Sequence, residues 1–138
     1  MSEKPLAMMP MISVSDVDTV RDFYTQKLGF EHQMGVLGKD GKLDFVNVVL
    51  GDASIMFARP QDGSQPSGAP HNVDLYVNVN KVDAHHKQST AAGAKVVDEL
   101  TDQWWGDRTY VIQDPNGYRV WFYEHKSDPV PPEGMKIV

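Results

Sequence analysis

His85 and His86 stand side by side and are followed by Lys87. Imidazole changes protonation near neutral pH, so such a pair is a natural place to look for proton transfer or metal ligation. The segment around them reads as a helix, and the pair reads as one solvated or half-buried face of it. The carboxylates Asp98, Glu99, Asp102, Asp107 and Asp114 are spread over strand ends and turns. Asp114, in "DPNG", is most simply a turn residue that bonds its own backbone. Arg108, in "WWGDR", reads equally well as a rim group or as the ionic partner of Asp107 or Asp102. There is no cysteine, which excludes thiolate zinc sites, disulfides and thiol nucleophiles. No Ser-His-Asp order and no glycine-rich phosphate loop stands out. No catalytic residue is nominated.

The aromatic residues say more. "GYRVWFYEH", residues 117 to 125, alternates as a strand, with Trp121 and Tyr123 on one face and Val120 and Phe122 on the other. A sheet with one wet side should be polar at every second position. Both faces here carry bulky groups, so both need a cover.

The elements that place this strand repeat along the chain. "SDVDTVRDFYTQKLGFEH" (15 to 32) lies against "NKVDAHHKQSTAAGAKVV" (80 to 97), and "LGDASIMF" (50 to 57) against "PNGYRVWF" (115 to 122), each at an offset of 65 residues. In the first half, residues 7 to 14 alternate as a strand. Ser15 or Asp16 caps a helix carrying Val17, Val20, Phe23, Tyr24 and Leu28 at helical spacing, and Gly29 stops it. Strands follow near 31 to 36, 43 to 50 and 54 to 59. The second half predicts a strand over 71 to 79, a helix from about Asn80 to Gly93, and strands near 95 to 99, 108 to 113 and 118 to 124.

The fold class expected is therefore α+β: two βαβββ modules forming a curved mixed sheet. The modules span 5 to 59 and 71 to 126 of a single domain, with a Pro-, Gly- and Ser-rich linker at 60 to 70 and a Pro-rich tail at 127 to 138 that looks extended. Each helix covers one side of its strands and leaves the other facing inward as a trough. Val120 and Phe122 then pack on a helix, while Trp121 and Tyr123 line the trough.

Composition narrows the class. The chain has 138 residues, 41% hydrophobic and 23% charged, with a formal net charge of −6. This balance suits a globular protein and argues against a nucleic-acid partner, which needs clustered Lys and Arg. No segment approaches the ~20 apolar residues of a membrane helix. The start, "MSEKPLAMMPM", lacks the features of a signal peptide, so a cytoplasmic protein is expected.

Four stretches carry a family likeness: "VSDVDTVRDFYTQKLGF" (14 to 30), "VDAHHKQSTAAGAKVV" (82 to 97), "DQWWGDR" (102 to 108) and "DPNGYRVWFYE" (114 to 124). Together they resemble the vicinal oxygen chelate superfamily, the glyoxalase, bleomycin-resistance and extradiol-dioxygenase group, over nearly the full length. The resemblance implies the paired βαβββ fold and commonly a homodimer. It also implies a divalent metal held by His or Glu/Gln from the first strand of each module and a Glu on the last strand. Those positions match Met9, Asn72 and Trp121 here, and a thioether, an amide and an indole cannot make that site. His71 and Glu124 are donors of the opposite parity and face away from the trough. No metal and no cofactor is expected.

The trough-facing candidates are Met9, Met11, Ser13, Asn72, Asp74, Tyr76, Tyr110, Trp121 and Tyr123, with Trp104 and Trp105 on the loop before the seventh strand. Trp121 is the foremost, because it occupies the position where the fold points a side chain at its ligand. Rigid rings stack on planar ligands, and Asp74 offers a charge for a cationic one. The expected function is metal-free binding or sequestration of a partly aromatic small molecule, an antibiotic being one candidate. Two alternatives stay open: an enzyme of the same fold, with a metal in an unexpected register or with acid and base groups alone, and an interaction module whose trough is filled by a partner or by the chain's own tail.

Overall fold

Pro10 cannot donate to a sheet ladder, and the first strand of the computed structural model begins directly after it, at Met11. The structure describes residues 8–66 and 73–138. The chain divides into two units, Met1–Gly68 and Ala69–Val138. In the first, β1 (Met11–Ser13) leads to α1 (Val17–Lys27), then β2 (Glu31–Leu37), β3 (Leu43–Leu50) and β4 (Ala53–Ala58). The second repeats the order with β5 (Asp74–Asn78), α2 (Val82–Ala91), β6 (Val96–Asp102), β7 (Asp107–Gln113) and β8 (Arg119–His125). Each unit is thus a βαβββ module, as expected. Its four-stranded mixed sheet runs β1-β4-β3-β2 in the first and β5-β8-β7-β6 in the second. The first strand of each lies parallel to the last, and the remaining pairs are antiparallel.

β1 is shorter than the alternation suggested. Pro10 still offers its carbonyl to the Met56 N–H at 2.9 Å. β6 runs on to Asp102, past the expected 99, although "DELTD" has no apolar alternation. It is an edge strand, and its pairing with β7 shifts register twice, an irregularity typical of edges. The starts of the strands expected at 7 and 71 lie outside the described residues.

In the first unit Val17, Val20 and Tyr24 of α1 and Leu28 at its C-cap are buried, as are Val46, Val48, Ile55 and Phe57 of the sheet. Tyr24 meets Phe57 at 5.0 Å and Phe30 at 5.3 Å. Phe23, expected on the same face, is half-buried at its margin. Asp16 is the N-cap, and its carboxylate accepts the Thr19 N–H at 3.1 Å and the Thr19 hydroxyl at 2.9 Å. These two bonds hold its pKa below the ordinary carboxylate value. The cap's contribution is therefore complete above the unfolded carboxylate pKa and fades as pH falls through the lowered folded value. Asp16→Ala should cost about 1 kcal/mol, read as a lower urea midpoint with an unchanged slope.

In the second unit α2 packs against β6, β7 and β8. The sheet side of this core is Tyr110, Ile112, Val120 and Phe122, all fully buried. The helix contributes Val82 and Ser89 as its buried residues. Its N-cap, Lys81, makes no side-chain cap bond. Instead, the Val82 N–H donates to Glu124 Oε1 at 3.0 Å.

Candidate functional site

Alternation along β8 puts Arg119, Trp121, Tyr123 and His125 on the face away from α2. Cross-strand register then decides which neighbours join them. On β5, Tyr76 pairs with Trp121 and Asn78 with Tyr123. On β7, Val111 pairs with Trp121, Thr109 with Tyr123 and Asp107 with His125. The result is an aromatic face on one sheet of one unit, built from β5, β7 and β8.

Tyr76 is the accessible platform, 46% exposed. Its ring stacks on Tyr123 at 4.4 Å and 21°, and lies 5.9 Å from Trp121 at 45°. Trp104 and Trp105 form the turn between β6 and β7. Trp105 Nε1 donates to the Tyr76 hydroxyl at 2.9 Å, and its ring is 6.4 Å from Trp121. Trp104 stands edge-on to Trp105 at 5.6 Å. Gly106 closes the turn with φ +98, and its carbonyl accepts the N–H groups of Lys126 and Ser127 at 2.8 and 3.1 Å. Val130 N–H reaches the Trp104 carbonyl at 2.7 Å. The start of the Pro-bearing tail is thus bonded to the turn that carries both indoles.

Asp74 has work of its own. Its Oδ2 accepts Trp121 Nε1–H at 2.9 Å and lies 3.7 Å from Arg119 Nε. The Arg119 guanidinium sits 5.8 Å from the Trp121 ring and also bonds Asp98. The charge once offered to a cationic ligand therefore orients the indole and is balanced by arginine.

The register overturns the expectation for Tyr110. It pairs with Phe122, so its ring lies on the α2 side, stacked on Phe122 at 5.4 Å and 25°. Its hydroxyl is 2.7 Å from Ser89 Oγ and 2.6 Å from His85 Nδ1, and burial pushes it up to about 12. The tight turn at Asp114–Gly117 sets the antiparallel register in which 110 opposes 122, and counting from that turn corrects the parity. His85 is half-buried over Phe122, with ring centroids 4.2 Å apart, and His86 Nε2 lies 2.9 Å from Glu99 Oε1. Neither histidine reaches the aromatic face. Arg108 also belongs to the α2 side, forking to Asp83 at 3.1 Å and Asp102 at 3.3 Å.

Met9, Met11 and Ser13 belong to the first unit, where Met11 is 65% exposed and Ile12 between Met11 and Ser13 is buried. Asn72 lies outside the described residues. The first unit also has a polar cleft lined by Lys39, Asp40, Asp44 and Arg59. Arg59 bonds both carboxylates, so these three charges are paired with one another.

Sequence reasoning missed His125 and the use of Asp107. Asp107 is buried, with its side chain 12% exposed. Its Oδ2 accepts the Tyr76 hydroxyl at 2.7 Å, and its Oδ1 lies 2.9 Å from His125 Nδ1. Burial first, and the Asp107 bond second, push the Tyr76 hydroxyl up to about 12, so it stays a donor. The parity of 121, 123 and 125 was the available signal.

The residues at hand do not fit the divalent metal the likeness implies. At the last-strand position Trp121 turns its only polar atom to Asp74. Glu124 points to the helix side and caps α2. Among the described residues no three His, Cys, Asp or Glu side chains are grouped to hold a metal ion.

Comparison with known proteins agrees with this architecture. The family model described as the Glyoxalase/Bleomycin resistance protein/Dioxygenase superfamily matches residues 8–122. An uncharacterized protein of Mycobacterium bovis is 33% identical over 119 residues, covering 81% of this chain and 78% of the relative. TioX from Micromonospora sp. ML1 superposes with a TM-score of 0.68 at 28% identity, covering 86% of this chain and 97% of TioX. A glyoxalase/bleomycin resistance protein/dioxygenase from Nocardioides gives a TM-score of 0.70 at 16% identity, over 96% of this chain and 91% of the other, a likeness of fold.

Proposed function

Since the chain belongs to the glyoxalase/bleomycin resistance protein/dioxygenase superfamily, we propose that it is one of the superfamily's small-molecule binders, holding a partly aromatic organic ligand on the second unit without a metal and without covalent chemistry. The observation that carries this reading is the ring face itself: Tyr76, Trp121, Tyr123 and Trp105 meet at centroid distances of 4.4 to 6.4 Å on the side of the sheet that α2 leaves uncovered. Aromatic walls fixed by hydrogen bonds lose little freedom when a planar molecule stacks on them. Both indoles nearest Tyr76 are fixed in this way, Trp121 by Asp74 and Trp105 by Tyr76.

Sequestration of an antibiotic is one form this binding takes in our reading. A cationic drug would gain in encounter rate from the net charge of −6, although Asp74 gives it no free carboxylate. Met9, Met11 and Asn72 remain candidates from strand alternation and family likeness and form no part of this ring face. Homodimeric assembly and a cytoplasmic location complete the proposal. Pairing is supported by the exposed apolar groups of the first unit, Met11, Met34, Val36 and Leu37. No described helix is long and apolar enough to cross a membrane.

Titration of intrinsic tryptophan fluorescence with planar antibiotics and metabolites tests the reading. Quenching should saturate, and Trp121→Ala should weaken the best ligand by about 2 kcal/mol, roughly 30-fold. Equal affinity in the variant would remove the ring face from the account. Stoichiometric metal in the purified protein, with turnover that depends on it, would replace the binder with an enzyme.

A further inference from the structure

Asp107, Tyr76 and His125 form a chain of bonds that stacking alone does not require. A buried ionised carboxylate only accepts hydrogen bonds. Asp107 has two acceptor oxygens engaged, one by the Tyr76 hydroxyl at 2.7 Å and one by His125 Nδ1 at 2.9 Å. Nδ1 must then carry the imidazole hydrogen, which leaves the lone pair of neutral His125 on Nε2. The side chain is 62% exposed, and the hydrogen bond it makes to Asp107 is at Nδ1.

The position of this lone pair is as informative as its tautomer. His125 lies two residues beyond Tyr123 on the same face, a step of roughly 7 Å along the strand. Tyr76 stacks on Tyr123 and directs its hydroxyl end to the Asp107 that holds the imidazole. A ring laid over Tyr76 with its long axis along that of the tyrosine therefore carries a terminal substituent toward the His125 end of the face.

Resting on the binding reading above, we propose that the ligand class is a planar aromatic bearing a phenolic or enolic hydroxyl, and that His125, oriented by Asp107, accepts the hydroxyl proton on binding. The ligand O–H bond breaks and an N–H bond forms at Nε2. The site then holds a phenolate against an imidazolium, with no change in net charge. Asp107 is the positioning residue, since its carboxylate fixes the tautomer and stabilises the imidazolium once formed. Other ionisable groups do not compete for the proton. Tyr76 from β5 remains a donor to Asp107. Lys126, next in the chain, is 3.2 Å from Glu124 on the opposite face. Residues 103–106 of the neighbouring turn, Gln-Trp-Trp-Gly, carry no ionisable side chain.

The test uses 4-nitrophenol and its methyl ether, 4-nitroanisole, as probes with the full chain. Both should quench tryptophan fluorescence. Bound 4-nitrophenol should show its phenolate absorbance at a pH about one unit below that of the free phenol, a tenfold preference for the anion. His125→Gln and Asp107→Asn should each return that titration to the free value, a change that a merely structural role for either residue would not produce. Quenching by both probes with no shift, or with a shift unaltered in both variants, overturns this inference and leaves the ring face standing. Absence of quenching by either probe overturns the ring face and the inference with it.

Discussion

Alanine in place of Phe122 should destabilise the protein by about 3–5 kcal/mol. The side chain is fully buried, stacked on Tyr110 at 5.4 Å and tilted against His85 at 4.2 Å. On its helix side the space is bounded by α2, where the Tyr110 hydroxyl meets Ser89 and His85. A loss of this size is a large part of the ~5–15 kcal/mol that holds a typical domain together. Urea unfolding followed by circular dichroism would measure it. The neighbouring residue makes the internal control. Trp121 is half-buried on the other face, and its removal should cost about 1 kcal/mol of stability, mainly the hydrogen bond to Asp74. Equal destabilisation by the two variants would mean that the strand does not divide its faces between core and ligand.

Gly106→Ala should be the second severe change, at about 3 kcal/mol. The residue has φ +98, where a side chain adds about 1–2 kcal/mol of strain. A Cβ there would also meet the Ser127 carbonyl oxygen at 1.9 Å, which forces the backbone of 126–127 away. The two N–H groups that bond the Gly106 carbonyl would go with it, at about 1 kcal/mol each before the chain relaxes. Gly41→Ala separates the terms, because Gly41 has φ +81 and nothing within 4 Å of its missing Cβ. It should show the strain alone. Faster tryptic cleavage after Lys126 in Gly106→Ala, and unaltered cleavage in Gly41→Ala, would locate the damage in the tail. Matching stabilities for the two variants would contradict the steric argument.

Most of the architecture was legible in the sequence, for reasons that particular residues make plain. Val17, Val20, Tyr24 and Leu28 fall on one helical face and are buried together, and a 65-residue repeat of the same pattern transfers the reading to the second half. Parity along β8 separated Trp121 and Tyr123 from Val120 and Phe122 correctly. Parity on β7 failed for Tyr110. That strand is buried on both faces at Thr109, Tyr110, Val111 and Ile112, so no polar alternation marks which side is which, and only counting from the turn settles it. Side-chain bonding was the least legible. Nothing in the local sequence says that Asp74 bonds Trp121, 47 positions away, or that Asp107 joins Tyr76 and His125. Those pairings exist only once the register exists.

The two helices also differ in how they can begin. α1 carries its own stop for the first free N–H groups three residues back, in Asp16, so its first turn can close while the rest of the chain is still unstructured. α2 takes an acceptor for its first N–H, that of Val82, from Glu124, 42 residues downstream. Nucleation being the costly step of helix growth, the side-chain cap of the second helix becomes available only once the last strand, which also carries Trp121 and Tyr123, is in place. The strand that carries the rings on one face thus holds the start of the helix on the other.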